Sequence, residues 1–570
     1  MKILQKIDGP ADLKKLDFTQ MYDLAADVRE IIVSTVLAGG GHLSSNLGVV
    51  ETVIAMHYVF DCPDDKFIFD VGHQCYTHKL LTGRRDVFGT LRRFGGISGF
   101  PRREESPYDC VNTGHASTSL SFACGLARAC PQNRIVALIG DGALTGGLAF
   151  EALNDMVRLG GNLTVIVNDN EMSISENVGL VPGVLAGLRS DPEKAGSSLR
   201  ALGLDYIYVS NGHSIEALVD ALRASEKSER PCIVHVSTVK GKGYPPAEAD
   251  SERYHGYSHT VSAGRAFSEI FGAKLADLAD KHDDIYAVTA AMSGGTGLDV
   301  FAKRHPDRFV DVGIAEAHAV CMSAGLALGG KKPYVAIYST FLQRAYDQVI
   351  HDVCLGDLPV TLCVDRSGIV SGDGETHQGV YDISFLRELP NMTVLCPKDG
   401  EELSAALEWS VSFGHPLAIR YPKGESPAVY GTHTPIIFGA WDYDADEVLS
   451  ADRILLACGA QSCAVAQAAV KACAAKGIKA AYVNARFAKP LDTKFLDLVD
   501  DRRIYTIEDG VKTGGFGEAV RSYYADRQSD IFPKVSVMGF DDGLYPMGGV
   551  DDVLGYCRMD PRSVAEELSK

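Results

Sequence analysis

The chain has 570 residues, 46% hydrophobic and 23% charged, the balance of an ordinary globular protein long enough for three or four domains. Its 55 lysines and arginines against 74 aspartates and glutamates leave a formal charge of −19, which excludes a general nucleic-acid or anionic-membrane binder but not a phosphorylated substrate met by local arginines. No apolar run approaches membrane-spanning length, and the N-terminal MKILQKIDGPADLKK lacks a signal-peptide hydrophobic stretch. The 14 cysteines include no CxxC pair, so they read as small buried hydrophobes in a reducing cytoplasm.

In chain order, GGGHLSSNLG (Gly39–Gly48) places His42 in a Gly- and Ser-rich loop. The strand-like Phe67–Asp70 precedes VGHQCYTHKLLTGRR, which carries His73, and TGHASTSLSFACGLA sets Gly114 and His115 at the mouth of a helical pattern. The stretch GDGALTGGLAFEALNDMVRLGGNLTVIVNDN, from Gly140 to Asn170, is the most informative. The short apolar runs Ile135–Ile139 and Leu163–Val167 read as buried parallel strands, and Leu148, Ala152, Leu153, Met156 and Val157 recur at helical spacing between them. A right-handed crossover brings Asp141 and Asn170 to the carboxyl ends of neighbouring strands, where open α/β sheets bind ligands. Two oxygen ligands, a Gly-rich turn and a helix N-terminus suit Mg²⁺ holding a diphosphate. A turn with an Asp cap and a solvated Asn is the bland alternative.

No fixed-period repeat or low-complexity tract is present. Alternating strand and helix patterns divide the chain into three mostly parallel α/β domains, 1–257, 258–425 and 450–570. The second is expected to open with a helix near Val261, and Gly424–Ala451 reads as a linker rich in Pro, Gly and Asp. The third reads as strand Arg453–Cys458, helix Ala464–Lys476, strand Ile478–Val483 and strand Ile504–Glu508. Glu316 lies between the strand-like Phe309–Ile314 and a small-residue helical stretch, Ala319–Leu328, where a first-turn helix Glu would present the same pattern.

The GDG-to-Asn spacing resembles that of the thiamin diphosphate enzymes. Several longer motifs are similar to those of the 1-deoxy-D-xylulose 5-phosphate synthase family. They are the three histidine-bearing segments above, NDNEMSISENVG from Asn168, VKGKGYPPAE from Val239, DVGIAEAHAV from Asp311, YSTFLQRAYDQVIHD from Tyr338, DRSGIVSGDGETHQG from Asp365 and NARFAKPLD from Asn484. They span nearly the whole chain.

This resemblance implies a transketolase-like, thiamin diphosphate-binding fold and a homodimer. The activity implied is the condensation of pyruvate with D-glyceraldehyde 3-phosphate, giving 1-deoxy-D-xylulose 5-phosphate and CO₂ for isoprenoid, thiamin and pyridoxal precursors. Asp141, Asn170 and the Met172 carbonyl would hold Mg²⁺, since a thioether is a poor ligand for it. His73, Gly114, His115, Ala116, Gly142, Ala143, Asn170 and Tyr244 would contact the cofactor. Glu316 would drive the aminopyrimidine tautomer that activates it, and Phe341 would stack on that ring, although an ordinary core Phe looks the same in sequence. His42, His255 and His377 would handle protons. Tyr338, Arg344, Arg366, Asp373, His377, Arg420 and Lys423 would receive the acceptor, arginine suiting phosphate through its planar fork.

The chain departs from the family at YPKG, where Lys423 stands for an arginine, and at AMSGGTG, which lacks an Arg-Glu pair. The segments Val178–Leu204 and Gly256–Ser268 are also shorter than the family's. A transketolase-like two-carbon transfer from a ketose phosphate and a non-catalytic diphosphate-binding module are the alternative readings. Glu316 and the histidines count against the second, because binding alone needs none of them.

Overall fold

The computed structural model describes residues 2–172, 178–258, 264–427, 434–526 and 534–570. The chain forms two compact units: Met1–Thr260 with Gly313–Ala315, and Val261–Val312 with Glu316–Lys570.

The first unit is built on a five-stranded parallel sheet of β1 (Lys66–Phe69), β2 (Ile135–Gly140), β3 (Leu163–Asp169), β4 (Asp205–Val209) and β5 (Cys232–Ser237), in the order β1-β2-β3-β5-β4. Every residue of β3 is buried, as expected of a parallel strand covered on both faces. The helix Gly147–Met156 crosses from β2 to β3, and in register Gly140 pairs with Asn168. Ser44–Leu47 forms a helical turn within the expected Gly39–Gly48 loop, because the Asn46 side chain ties that turn to residues 73–76.

The second unit holds two sheets. One contains β6 (Ile285–Thr289), β7 (Phe309–Asp311), β8 (Lys332–Tyr338), β9 (Thr361–Asp365), β10 (Thr393–Leu395) and β11 (Leu417–Arg420). The other contains β12 (Asp442–Tyr443), β13 (Arg453–Cys458), β14 (Ala480–Asn484), β16 (Arg503–Val511) and β17 (Val535–Phe540), ordered β12-β14-β13-β16-β17. A short strand late in the chain, β15 (Phe487–Lys489), pairs antiparallel with β10, so the first of these sheets runs β15-β10-β11-β9-β8-β6-β7. All other pairings in the unit are parallel except β12–β14.

Several boundaries differ from the sequence expectation, three of them for a visible reason or by falling outside the described residues. The expected helix near Val261 falls on 259–263, outside the described residues, and the described helix is Phe267–Ala279. Ala266 is held extended by a bridge to Glu425, while the Glu269 carboxylate accepts its N–H at 3.1 Å and caps the helix there. The expected linker contains β12 and the helix Ala445–Ser450, started by Asp444, whose carboxylate accepts the Glu447 N–H; 428–433 lie outside the described residues. The helix expected from Ala464 begins at Ala460, because Asp509 accepts the N–H groups of Gln461 and Ser462. All 14 cysteines are free thiols. Among the described residues, no helix is long and apolar enough to cross a membrane.

Candidate active site

In the first unit, the loops at the carboxyl ends of β1, β2, β3 and β5 converge. Asp70, just past β1, accepts the N–H groups of Ser117 (2.7 Å) and Ser119 (3.0 Å), fixing the start of the helix Ser119–Ala129. The Ser117 hydroxyl donates to the Ala143 carbonyl at 2.7 Å, so the Gly114–Ala116 segment runs beside the turn after β2. A Cβ on Gly146 would stand 2.2 Å from that hydroxyl, which is why the turn needs glycine there.

Asp141 is 1% exposed; its carboxylate accepts the Gly142 N–H at 2.9 Å and the Asn170 N–H at 3.1 Å. Burial, followed by repulsion from Asp169, pushes it up to about 7. Asp169 itself stays low, because hydrogen bonds from His235 and Arg189 offset its burial. A buried carboxylate that cannot easily hold its charge fits a site for a cation. The Asn170 side-chain oxygen accepts the Met172 N–H at 3.2 Å, which folds Met172 back beside the metal candidates. Ser173–Asn177, the middle of the expected NDNEMSISENVG motif, lies outside the described residues.

His42, His73 and His255, separated by up to 213 positions in sequence, form a cluster with ring centroids 5.2–5.8 Å apart. The buried Asn46 amide donates to the carbonyls of His42 and His73, both at 2.7 Å, and its oxygen accepts the Tyr76 N–H at 2.8 Å. Burial, with Lys240, His73 and His42 nearby, holds the His255 imidazole well below its usual value, so it is neutral at pH 7. Tyr244 starts the short helix Pro245–Ala249 and packs edge-on against Tyr254 at 5.8 Å.

In the second unit, Glu316 is the first residue of the helix Glu316–Leu328 and is 4% exposed. Burial raises its carboxyl above the ordinary range, opposed by Arg344, whose guanidinium is 4.0 Å away. Tyr338 ends β8; Phe341 stacks on it at 5.6 Å and meets His377 edge-on at 5.6 Å. The Arg366 guanidinium lies 3.7 Å over the Tyr338 ring. Asp365, fully buried at the end of β9, is pushed up to about 7 by burial against the pull of Arg366 and Lys423. Asp373 and His377 are half-buried, and Lys423 is exposed.

Arg420 is placed differently. It is 1% exposed, and its fork is taken up by Asp382, with two contacts of 3.1 Å, and by the Asp509 carbonyl at 3.3 Å. The expectation that it receives an acceptor phosphate does not fit this placement, since its bidentate edge already holds a carboxylate.

Residues 4–202 match the family model described as 1-deoxy-D-xylulose-5-phosphate synthase, 263–428 the pyrimidine-binding domain of transketolase, and 445–564 the C-terminal domain of transketolase. A 1-deoxy-D-xylulose-5-phosphate synthase of Desulforudis audaxviator is 45% identical, with 95% of this chain and 93% of that protein covered. One of Halothermothrix orenii is 41% identical, with 100% and 97% covered. The chain belongs to the 1-deoxy-D-xylulose-5-phosphate synthase family. Among solved structures, a transketolase of Campylobacter jejuni aligns with 97% of this chain and 100% of its own at 17% identity, with a TM-score of 0.46.

For this synthase-family chain, sequence reasoning missed residues that act on the candidates from behind. Asp70, Asn46 and Ser117 hold backbone segments whose sequence positions are 26–49 residues away. Lys240, buried in VKGKGYPPAE, is lowered to about 8 by burial against the attraction of Asp141. Its place next to Gly241, four residues before Tyr244, is the one signal the sequence offers.

Proposed function

We infer that this chain is a thiamin diphosphate-dependent transferase that condenses pyruvate with D-glyceraldehyde 3-phosphate to 1-deoxy-D-xylulose 5-phosphate and CO₂. The observation that carries this reading is its near full-length relationship to synthases named for that product. When bound, thiamin diphosphate supplies the nucleophilic carbon and the electron sink for decarboxylation.

The chain's own residues divide the remaining tasks. Asp141, Asn170 and the Met172 carbonyl hold Mg²⁺; the buried Asp141 carboxyl at about 7 supports this, because a divalent cation restores its charge. His73, Gly114, His115, Ala116, Gly142 and Ala143 line the diphosphate, and Tyr244 borders it. Glu316 pairs with the pyrimidine ring nitrogen and shares a proton with it, a role supported by its burial, which raises the carboxyl against the pull of Arg344. Phe341, already stacked on Tyr338, offers its ring to the pyrimidine. His42 and His255, and His377 on the acceptor side, accept and return protons.

The acceptor phosphate is held by Arg366 and Lys423, with Arg344, Tyr338, Asp373 and His377 around it. Arg420 instead anchors Asp382 behind them. The enzyme works as a homodimer in the cytoplasm.

Measuring CO₂ release from pyruvate with and without D-glyceraldehyde 3-phosphate tests this reading. Release that depends on thiamin diphosphate and accelerates with the aldehyde is expected. If pyruvate is inert while a ketose phosphate donates two carbons, the reading fails.

A further inference from the structure

Residues 366–379 follow β9 and carry Arg366, Asp373 and His377. Gly368 and Gly379 exchange two backbone hydrogen bonds, of 2.7 and 2.8 Å, which close the neck of this loop. Just inside the neck lies the side chain of Gln461. The Ile369 N–H donates to its Oε1 at 2.9 Å, and its Nε2 donates to the Ile369 carbonyl at 2.8 Å. A single amide therefore satisfies both backbone groups of Ile369, as a neighbouring strand would.

The approach is specified from both sides. Gly368 has φ +77°, and a Cβ there would stand 2.4 Å from Gln461 Oε1. Gln461 opens the helix Ala460–Ala474, and Asp509 fixes its backbone by accepting its N–H at 3.1 Å and that of Ser462 at 2.6 Å. Ile369 and Val380, flanking the loop, are buried in the same apolar cluster as Leu455, Ala457 and Ile507. Around the loop, the Val370 N–H donates to Gln378 Oε1 at 2.7 Å, and the Gly372 N–H donates to the Gly548 carbonyl at 3.1 Å.

We propose that Gln461 is a positioning residue for acceptor recognition, its amide holding Ile369 and so setting where Arg366, Asp373 and His377 stand. This rests on the acceptor role assigned above to that loop. The sheet containing β13 and β16 is then more than a packing layer: through Asp509 and Gln461 it forms the backing of the acceptor pocket.

Gln461→Ala and Gln461→Glu, each in the full-length cofactor-loaded enzyme, test the proposal. The side chain is half-buried, so truncation opens no closed core cavity. Gln461→Glu keeps its size and its acceptor but turns a carboxylate oxygen toward the Ile369 carbonyl. Losing two neutral hydrogen bonds is expected to raise the KM for D-glyceraldehyde 3-phosphate about tenfold or more, with the pyruvate KM unchanged. Amide hydrogen exchange, which needs no turnover, should quicken in the peptide containing Ile369 and stay unchanged in β13. Wild-type acceptor KM and wild-type exchange in both variants would overturn the proposal. So would donor and acceptor KM values rising together. If the wild-type enzyme turns over neither substrate, the functional reading falls, and faster exchange at Ile369 alone still establishes the Gln461 clasp.

Discussion

Replacing Asp141 by Asn should make the metal-free protein more stable and the metal-loaded protein less responsive. Burial and the charge of Asp169 hold the carboxyl well above its ordinary value, so its charged form destabilises the metal-free fold, at about 1.4 kcal/mol for each pH unit of the difference. The sign follows from the raised value: the folded state binds the proton more tightly than the unfolded one. Stability is therefore fully present below about pH 4, is lost as pH rises toward 7, and stays low above it. The Asp141→Asn protein would avoid that loss, but the new amide NH₂ must face either the Gly142 or the Asn170 N–H, a mismatch costing about 1–3 kcal/mol. A net gain at pH 8, smaller than the relief of the buried charge alone, remains. Mg²⁺ at a hundred times its Kd would stabilise the wild type by about 2.7 kcal/mol, and at pH 6, with most of Asp141 protonated, its affinity should be about tenfold weaker. Thermal unfolding at pH 6 and 8, with and without Mg²⁺, measures all of this. A wild type that ignores Mg²⁺ at pH 8 refutes the metal assignment, as does an Asp141→Asn protein that responds to it fully.

Three further positions probe the second unit. Glu316→Gln keeps the shape but can no longer exchange a proton with the pyrimidine, so kcat should fall by about 10²–10⁴ while thiamin diphosphate affinity, read by calorimetry, changes little; near-normal turnover removes Glu316 from activation. Lys423→Ala should raise the KM for D-glyceraldehyde 3-phosphate by an amount equivalent to about 1.5–3 kcal/mol and leave the KM for pyruvate, which carries no phosphate, in place. Lys423→Arg should lower the acceptor KM or leave it unchanged, and a change confined to pyruvate would mean the phosphate is held elsewhere. Arg420→Leu leaves Asp382 buried without its partner, so denaturant unfolding should show a loss of about 3–5 kcal/mol; a stable variant with only a weakened acceptor KM would return Arg420 to the phosphate site.

What was readable in the chain follows from where each interaction lies. β2, β3 and β13 are short apolar runs because both faces of a parallel strand are covered, so the sequence itself marks them. The closeness of Asp141 and Asn170 is legible because the strand–helix–strand unit joining them is local. The buried pair of Arg420 with Asp382, 38 residues away, leaves no trace beside the RYPKG motif that suggests phosphate binding. Asn46 and Gln461 stayed invisible for a similar reason: an amide that completes distant backbone hydrogen bonds looks like any surface amide in sequence. The helix Ala445–Ser450 was hidden by surrounding Asp and Pro, although Asp444 is an ordinary N-cap.

The central claim is the identity of the product. Wild-type protein incubated with thiamin diphosphate, Mg²⁺, ¹³C-labelled pyruvate and D-glyceraldehyde 3-phosphate should yield a five-carbon ketose phosphate, identified by mass, that retains two of the three pyruvate carbons, with the third recovered as CO₂. Absence of that labelled product, or a product whose two-carbon unit comes only from a ketose phosphate, would contradict it.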